Sequence, residues 1–251
     1  MRHWIYRLMA AAALALTTLS GCVGQVDDEE DDGPVNGDPA GEAGAPGLLF
    51  DFTATWCVNC PRMAVAIEEA AAQRPGKVFP VSIHFRDAMA FAAGEAIASR
   101  FGIASYPSLI VNLDPSSLTT ATAKDLILSR MDATAAGRKA ACTVVGTVED
   151  GRINVDITAA EAGNYRLAAL LLEDGIVAPQ TGGTDTYVHN DVLRAILSSD
   201  IDGDPLGSLT AGASAQRTIT LPNDLPARGH LLLYVMDADR AQLNAISRVI
   251  I

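Results

Sequence analysis

Two cysteines separated by two residues, Cys57 and Cys60, stand where an apolar strand-like run gives way to a helical one. Gly47-Leu48-Leu49-Phe50-Asp51-Phe52 reads as a buried strand carrying a single acid, and Arg62 to Ala72 reads as a helix that follows Pro61. A cysteine at the start of a helix faces unpaired backbone N–H groups and the positive end of the helix dipole, both of which favour the thiolate. A two-residue spacer lets the second sulfur reach back and displace a mixed disulfide. Strand, cysteine pair and helix in this order are the context in which the spacing reads as redox-active. Zinc is disfavoured, because it needs four ligands and there is no second pair of this kind. A c-type haem is excluded by Pro61, which stands where that attachment needs histidine. A static disulfide in a scaffold that has lost its chemistry is the competing reading.

The N-terminal end bears on compartment. Arg2 and Arg7 precede an apolar run from Leu8 to Leu19, which is too short to span a bilayer and has the layout of a secretory signal peptide. The run ends in Leu19-Ser20-Gly21-Cys22, which resembles the bacterial lipobox, so residues 1–21 are expected to be a lipoprotein leader and Cys22 an acylated N-terminus. Several acyl chains anchor a protein to a membrane without spanning it. An acidic run from Asp27 to Asp32 follows, and then five glycines and three prolines within fifteen residues, so residues 22–44 read as a solvated tether. The formal net charge is −12, more negative still without Arg2 and Arg7, which makes nucleic acid an unsuitable partner. Of the four cysteines, Cys142 remains once lipid and the close pair are assigned, and it is expected to fill a core as a small apolar residue.

The run Phe50-Asp51-Phe52-Thr53-Ala54-Thr55-Trp56-Cys57-Val58-Asn59-Cys60 resembles the active-site segment of the thioredoxin family. Ala98 to Ile110, containing Gly102 and Tyr106-Pro107, resembles that family's second signature. The resemblance implies that Cys57 is the attacking sulfur and Cys60 the resolving sulfur, that the two form a disulfide, and that Asp51 is a buried proton acceptor. It further implies that Trp56 shields the pair and that Pro107 is cis beside it, with the Tyr106 backbone open to an extended substrate. Two departures stand out. Pro80 occupies the place of the lysine that partners the buried acid, and Pro61 falls near the fourth helical position, where it would remove a hydrogen bond. Lys77 to Phe85 reads as the next strand; His84 near its end is read as a surface loop histidine in preference to a cleft histidine that supports a thiolate. A short helix is expected over Asp87 to Ala98.

From Cys142 the pattern turns from helical to alternating. Ile153, Val155 and Ile157 recur at period two after the hairpin signal Asp150-Gly151, and further strands are expected at 165–172, 218–221, 231–236 and 246–250. Strands at such spacing read as a small sandwich. Asp200-Ile201-Asp202-Gly203-Asp204 has the alternating acids of a calcium loop, but Pro205 and the missing closing glutamate favour an acidic surface turn. Tyr187-Val188-His189-Asn190-Asp191-Val192-Leu193-Arg194 is read as a hydrogen-bonded turn between strands rather than as a binding patch.

With Cys57-Val58-Asn59-Cys60-Pro61, Val81-Ser82-Ile83-His84, Leu172 to Val177, Pro179-Gln180 and Tyr187 to Arg194, nearly all of the chain past the leader resembles the outer membrane protein twenty-eight family of bacterial lipoproteins. The fold class so implied is an α/β thioredoxin-like domain over residues 45–138 followed by an all-β, sandwich-like domain over 140–251. The expected function is a thiol-disulfide oxidoreductase of the cell envelope, at the outer membrane, acting on protein or peptide thiols and disulfides. It is expected to be held to the membrane by lipid on Cys22 and to need no cofactor or metal. The alternative is a surface binding or adhesion lipoprotein that uses the first half as an inert scaffold.

Overall fold

A computed structural model describes residues 44–119 and 123–251. The leader, Cys22 and all of the acidic tether except Gly44 lie outside the described residues. The elements are β1 (Gly47–Thr53), α1 (Cys60–Gln73), β2 (Val78–His84), α2 (Gly94–Arg100), β3 (Ser108–Val111) and α3 (Lys124–Ala135), followed by strands alone. These are β4 (Thr143–Glu149), β5 (Arg152–Thr158), β6 (Gly163–Glu173), β7 (Ile176–Ala178), β8 (Tyr187–His189), β9 (Val192–Ile196), β10 (Asp204–Leu209), β11 (Ser214–Thr220), β12 (Gly229–Asp237) and β13 (Gln242–Ile250). The described chain is thus mostly β, with its helices confined to the N-terminal part.

β1 is buried along its length, and apolar apart from Asp51 and Thr53, because both of its faces are covered. Leu48, Phe50 and Phe52 join one core cluster, and Leu49 joins another with Met63 and Ile67 of α1 and Met131 of α3. β1 runs parallel to β2, with Asp51 opposite Ser82, and antiparallel to β3, with Asp51 opposite Leu109. Register and pleat therefore put Asp51, Thr53, Pro80, Ser82 and His84 on one face. α1 begins at Cys60, two residues earlier than the sequence pattern indicates, and buries Cys60, Met63, Ala66, Ile67 and Ala70. Pro61 consequently falls in the first turn, where backbone N–H groups have no intrahelical partner, and the expected loss of a hydrogen bond does not arise.

The helix expected over Asp87 to Ala98 is shorter and later. Asp87 accepts from Met89 N at 2.9 Å and from Thr55 N at 2.8 Å, and these bonds stabilise a turn where a helix would otherwise start. α2 follows only at Gly94.

One sheet runs through both halves of the chain, in the order β13-β12-β6-β9-β2-β1-β3, with β10 also on β6. The junction is the parallel pair β2–β9, which meets at Ser82 and Val192. Ser82 N donates to Asp191 O at 2.8 Å. Pro80 has the same parity as Ser82, so its missing N–H lies on the β9 side and the ladder cannot extend that way. A second sheet, β11-β5-β4, packs on the large one through Val144, Ile153, Val155 and Ile157 against Leu171, Leu231, Leu233 and Val235. β4 and β5 turn at Asp150 and Gly151, both at positive φ, as the hairpin signal requires. Cys142 is buried in this second core as a free thiol. β7 and β8 form a separate two-stranded hairpin.

Candidate active site

Cys57 and Cys60 are joined in a disulfide in the turn that leads into α1. The pair is not displayed at the surface: Cys57 is 5% exposed and Cys60 2%, whereas the flanking Trp56 is 49% exposed. Trp56 donates its indole N–H to Phe85 O at 3.0 Å, and its ring meets Tyr106 edge-on at 5.8 Å between centroids. Tyr106 packs against Cys57, Cys60 and Ala54, and its peptide bond to Pro107 is cis. The sulfurs thus lie beneath an aromatic rim, Cys57 the more open of the two, next to the Tyr106–Pro107 step.

Asp51, Cys60 and Pro80 line one cavity of about 240 Å³. Burial without a compensating charge pushes the Asp51 carboxyl up from 3.8 to about 7, and its Oδ1 has no hydrogen-bond partner. A carboxyl with a pKa near neutrality can both take and return a proton at neutral pH.

The other wall of this cavity comes from the β-rich half, which sequence reasoning did not connect to the cysteines. Between β7 and β8, Gln180 donates through Nε2 to Ala54 O at 3.2 Å and to Cys57 O at 3.0 Å. Thr181 N donates to Thr55 O at 2.8 Å. Gly182, at φ +80°, lies so close to Val58 that a Cβ there would be 2.1 Å from its carbonyl oxygen. The loop is clamped onto the cysteine turn. Gln180→Ala is expected to lower stability by about 1–2 kcal/mol in urea unfolding, because both carbonyls keep a backbone donor and lose only this one. Gln180→Glu, the same shape without a donor, should cost more than Ala; an unchanged midpoint in both variants would show that the clamp is held elsewhere.

His84 is not a surface histidine. It is 2% exposed, and its Nδ1 donates to Asp87 Oδ2 at 2.8 Å. Burial raises the Asp87 carboxyl, but the hydrogen bonds from His84, Thr55 N and Met89 N outweigh it and hold the group below its ordinary value. The His84 ring meets His189 at 5.2 Å between centroids. His189, read from sequence as part of a turn, ends β8 and lines the cavity. The periodicity of a three-residue strand carries no sign of this; the aromatic-polar run Tyr187 to Asn190 was the available signal.

Two other clusters are structural. Asp202 is held by Arg100 through two bonds of 2.6 Å, Asp200 Oδ1 accepts from Asp202 N, and Asp204 Oδ1 accepts from Ser199 N, so the acidic turn is satisfied by the protein's own donors. Asp174, Asp191 and His230 bring ligand-type atoms within 4.8 Å of one another. Arg248 occupies Asp191 at 2.8 Å, and His230 Nδ1 lies 2.9 Å from Asp174, so these groups pair among themselves and tie β9, β12 and β13 together.

Comparison with known proteins agrees with both parts of the chain. Thioredoxin 1 of Nostoc sp. and thioredoxin of Haemophilus influenzae are each 33% identical over 64 residues, 26% of this chain and 54% of theirs. The chain thus spans about half the length of these curated relatives. HBP35 of Porphyromonas gingivalis superposes with a TM-score of 0.64 at 22% identity, covering 83% of this chain and 75% of that one. A crystal structure of a protein from Agrobacterium tumefaciens gives 0.56 at 17% identity, covering 84% and 96%. At these identities the likeness is one of fold. The profile described as outer membrane protein Omp28 matches residues 86–250, from the segment after β2 through β13. With two thirds of its length accounted for in this way, the chain belongs to the Omp28 family of outer membrane proteins.

Proposed function

We propose that this protein is an envelope thiol-disulfide oxidoreductase acting on protein or peptide thiols and disulfides. One observation carries the reading. The Cys57–Cys60 disulfide closes beside the Tyr106–Pro107 step, with a buried carboxyl of neutral pKa and one free oxygen in the cavity behind it. In the reducing direction, the Cys57 thiolate attacks a partner disulfide, forming a mixed disulfide and releasing one partner thiolate. Cys60 then gives its proton to Asp51 and attacks Cys57 Sγ. The Cys57–Cys60 bond forms, the bond to the partner breaks, and the electron pair leaves on the second partner sulfur, which takes a proton from solvent. The protein's dithiol is oxidised and the partner's disulfide reduced; run backwards, the same steps oxidise a partner dithiol. Trp56, Tyr106 and Pro107 form the substrate-facing rim in this reading. Attachment through lipid on Cys22 and an outer-membrane address complete it, supported by the lipobox-like run and by the family's description. No helix among the described residues is long and apolar enough to cross a membrane.

Alkylation of the fully reduced protein across pH tests the proposal. Cys57 is expected to react as a thiolate with an apparent pKa well below the free-cysteine value of about 8.5, while Cys60 stays protected. A Cys57 that titrates like free cysteine overturns it. If a Cys57→Ser, Cys60→Ser variant kept full activity in cells, the surface binding reading would replace it.

A further inference from the structure

We propose that His189, contributed by the β-rich half, is a positioning residue for the exchange: it passes the proton of Asp51 to solvent through the cavity that the β7–β8 hairpin closes over β1 and β2, and so frees Asp51 to accept the proton of Cys60. The inference rests on the oxidoreductase reading and adds to it the route of the proton. With its carboxyl raised to about 7, Asp51 holds a proton in much of the population at neutral pH, and it must shed that proton before it can accept the one on Cys60. Asp51 is buried, and Pro80 beside it on β2 offers no side-chain proton carrier.

The cavity supplies a path. Its 240 Å³ is room for several waters, and three buried polar atoms on its lining residues, Asp51 Oδ1, His189 Nε2 and Arg248 Nε, have no protein partner. Burial, and the neighbouring His84 ring, hold the His189 imidazole below its ordinary pKa, while the ring's hydrogen bond to the backbone at Ala178 and the Asp87 carboxylate act the other way. His189 is therefore neutral at neutral pH with a free lone pair on Nε2, the state that accepts a proton, and Asp87 lies near enough to steady the cation that forms.

The other groups facing this space are less suited. His84 has its Nδ1 committed to Asp87. Burial raises the Tyr187 hydroxyl above its ordinary value, so it keeps its proton across the working range. Glu68 of α1 lines the cavity from an exposed position. Asp191 is bound by Arg248, which also lines the cavity. Among the described residues that line this cavity, His189 alone has a buried ring nitrogen without a partner. This gives the β-rich half a part in the chemistry, since Gln180 in the β7–β8 loop reaches the cysteine turn and His189 at the end of β8 lines the cavity behind it.

The test is stopped-flow reaction of the reduced full chain with a chromogenic aryl disulfide, in which the first aryl thiolate released reports attack by Cys57 and the second reports resolution by Cys60. His189→Gln is expected to leave the first release unchanged and to slow the second by about tenfold, a modest part of what general acid–base catalysis contributes. The slowed second release in the variant should recover when imidazole is added to the buffer. His189→Asn serves as a second variant should the glutamine protein not fold. A second release at the wild-type rate at every pH, or one that is slow but indifferent to imidazole, overturns the relay while leaving the oxidoreductase reading in place. No Cys57-dependent release from the wild-type chain overturns both.

Discussion

Asp51→Asn is expected to make the oxidised protein more stable above pH 7 and to confer no such gain below pH 4, as read from urea unfolding at a series of pH values. The sign follows from linkage. Burial raises the folded-state carboxyl to about 7 against 3.8 for the ordinary value. Between those values the folded chain holds a proton that the unfolded chain has lost, so wild-type stability falls as pH rises through that window and is lowest above it. A shift of that size corresponds to about 4 kcal/mol. Asparagine removes the charge but brings an amide N–H₂ that must find a partner where Oδ1 already has none, which offsets about 1–3 kcal/mol. The net gain at pH 9 is therefore about 1–3 kcal/mol. The same variant should slow resolution by Cys60, because the proton acceptor is gone. Stability lost at the active site would then be part of how the site works. A wild-type chain whose stability is flat from about pH 5 to 9 would show that Asp51 is not held in this state.

The parts of this fold that could be read from sequence are those fixed by local chemistry. β1 announces itself as an apolar run, the β4–β5 hairpin by Asp150-Gly151, and the long strands β6 and β12 by continuous apolar stretches that end up covered on both faces. The site's cysteines, its buried acid and the Tyr106–Pro107 step were likewise legible, because each belongs to a short motif. What could not be read are relations between distant segments. Gln180 is one polar residue in a loop until it is seen to donate to carbonyls 126 and 123 positions away. His84 looked exposed because a lone histidine at a strand end carries no period, and its burial depends on a hairpin contributed a hundred residues later. The β2–β9 junction is a single register pair, too short to leave a pattern. Pro61 was misjudged by the small matter of where α1 begins, since a shift of two residues moves it from a costly position to a favourable one.

Gly182→Val should separate the β7–β8 loop from the cysteine turn, and with it the protection of Cys60. The residue sits at φ +80°, and its absent Cβ would meet Val58 O at 2.1 Å, Val58 C at 2.9 Å and Val58 Cα at 3.2 Å. All three are backbone atoms of Val58, one of the two residues between the cysteines, so no rotamer change relieves the clash; either the loop lifts away or the turn moves. Lifting the loop also breaks the Thr181 N bond to Thr55 O and withdraws Gln180 from Ala54 and Cys57. A β-branched residue at positive φ adds its own strain. The expected loss is about 3–5 kcal/mol in urea unfolding, together with alkylation of Cys60 in the reduced protein, which is shielded while the loop is seated. Gly212→Ala is the control: it lies at a similar φ of +77° with nothing within 4 Å of its Cβ, so it registers strain without collision and should cost only about 1 kcal/mol. Equal losses in the two variants, with Cys60 protected in both, would mean that the close approach of Gly182 to Val58 does not hold the cysteine turn in place.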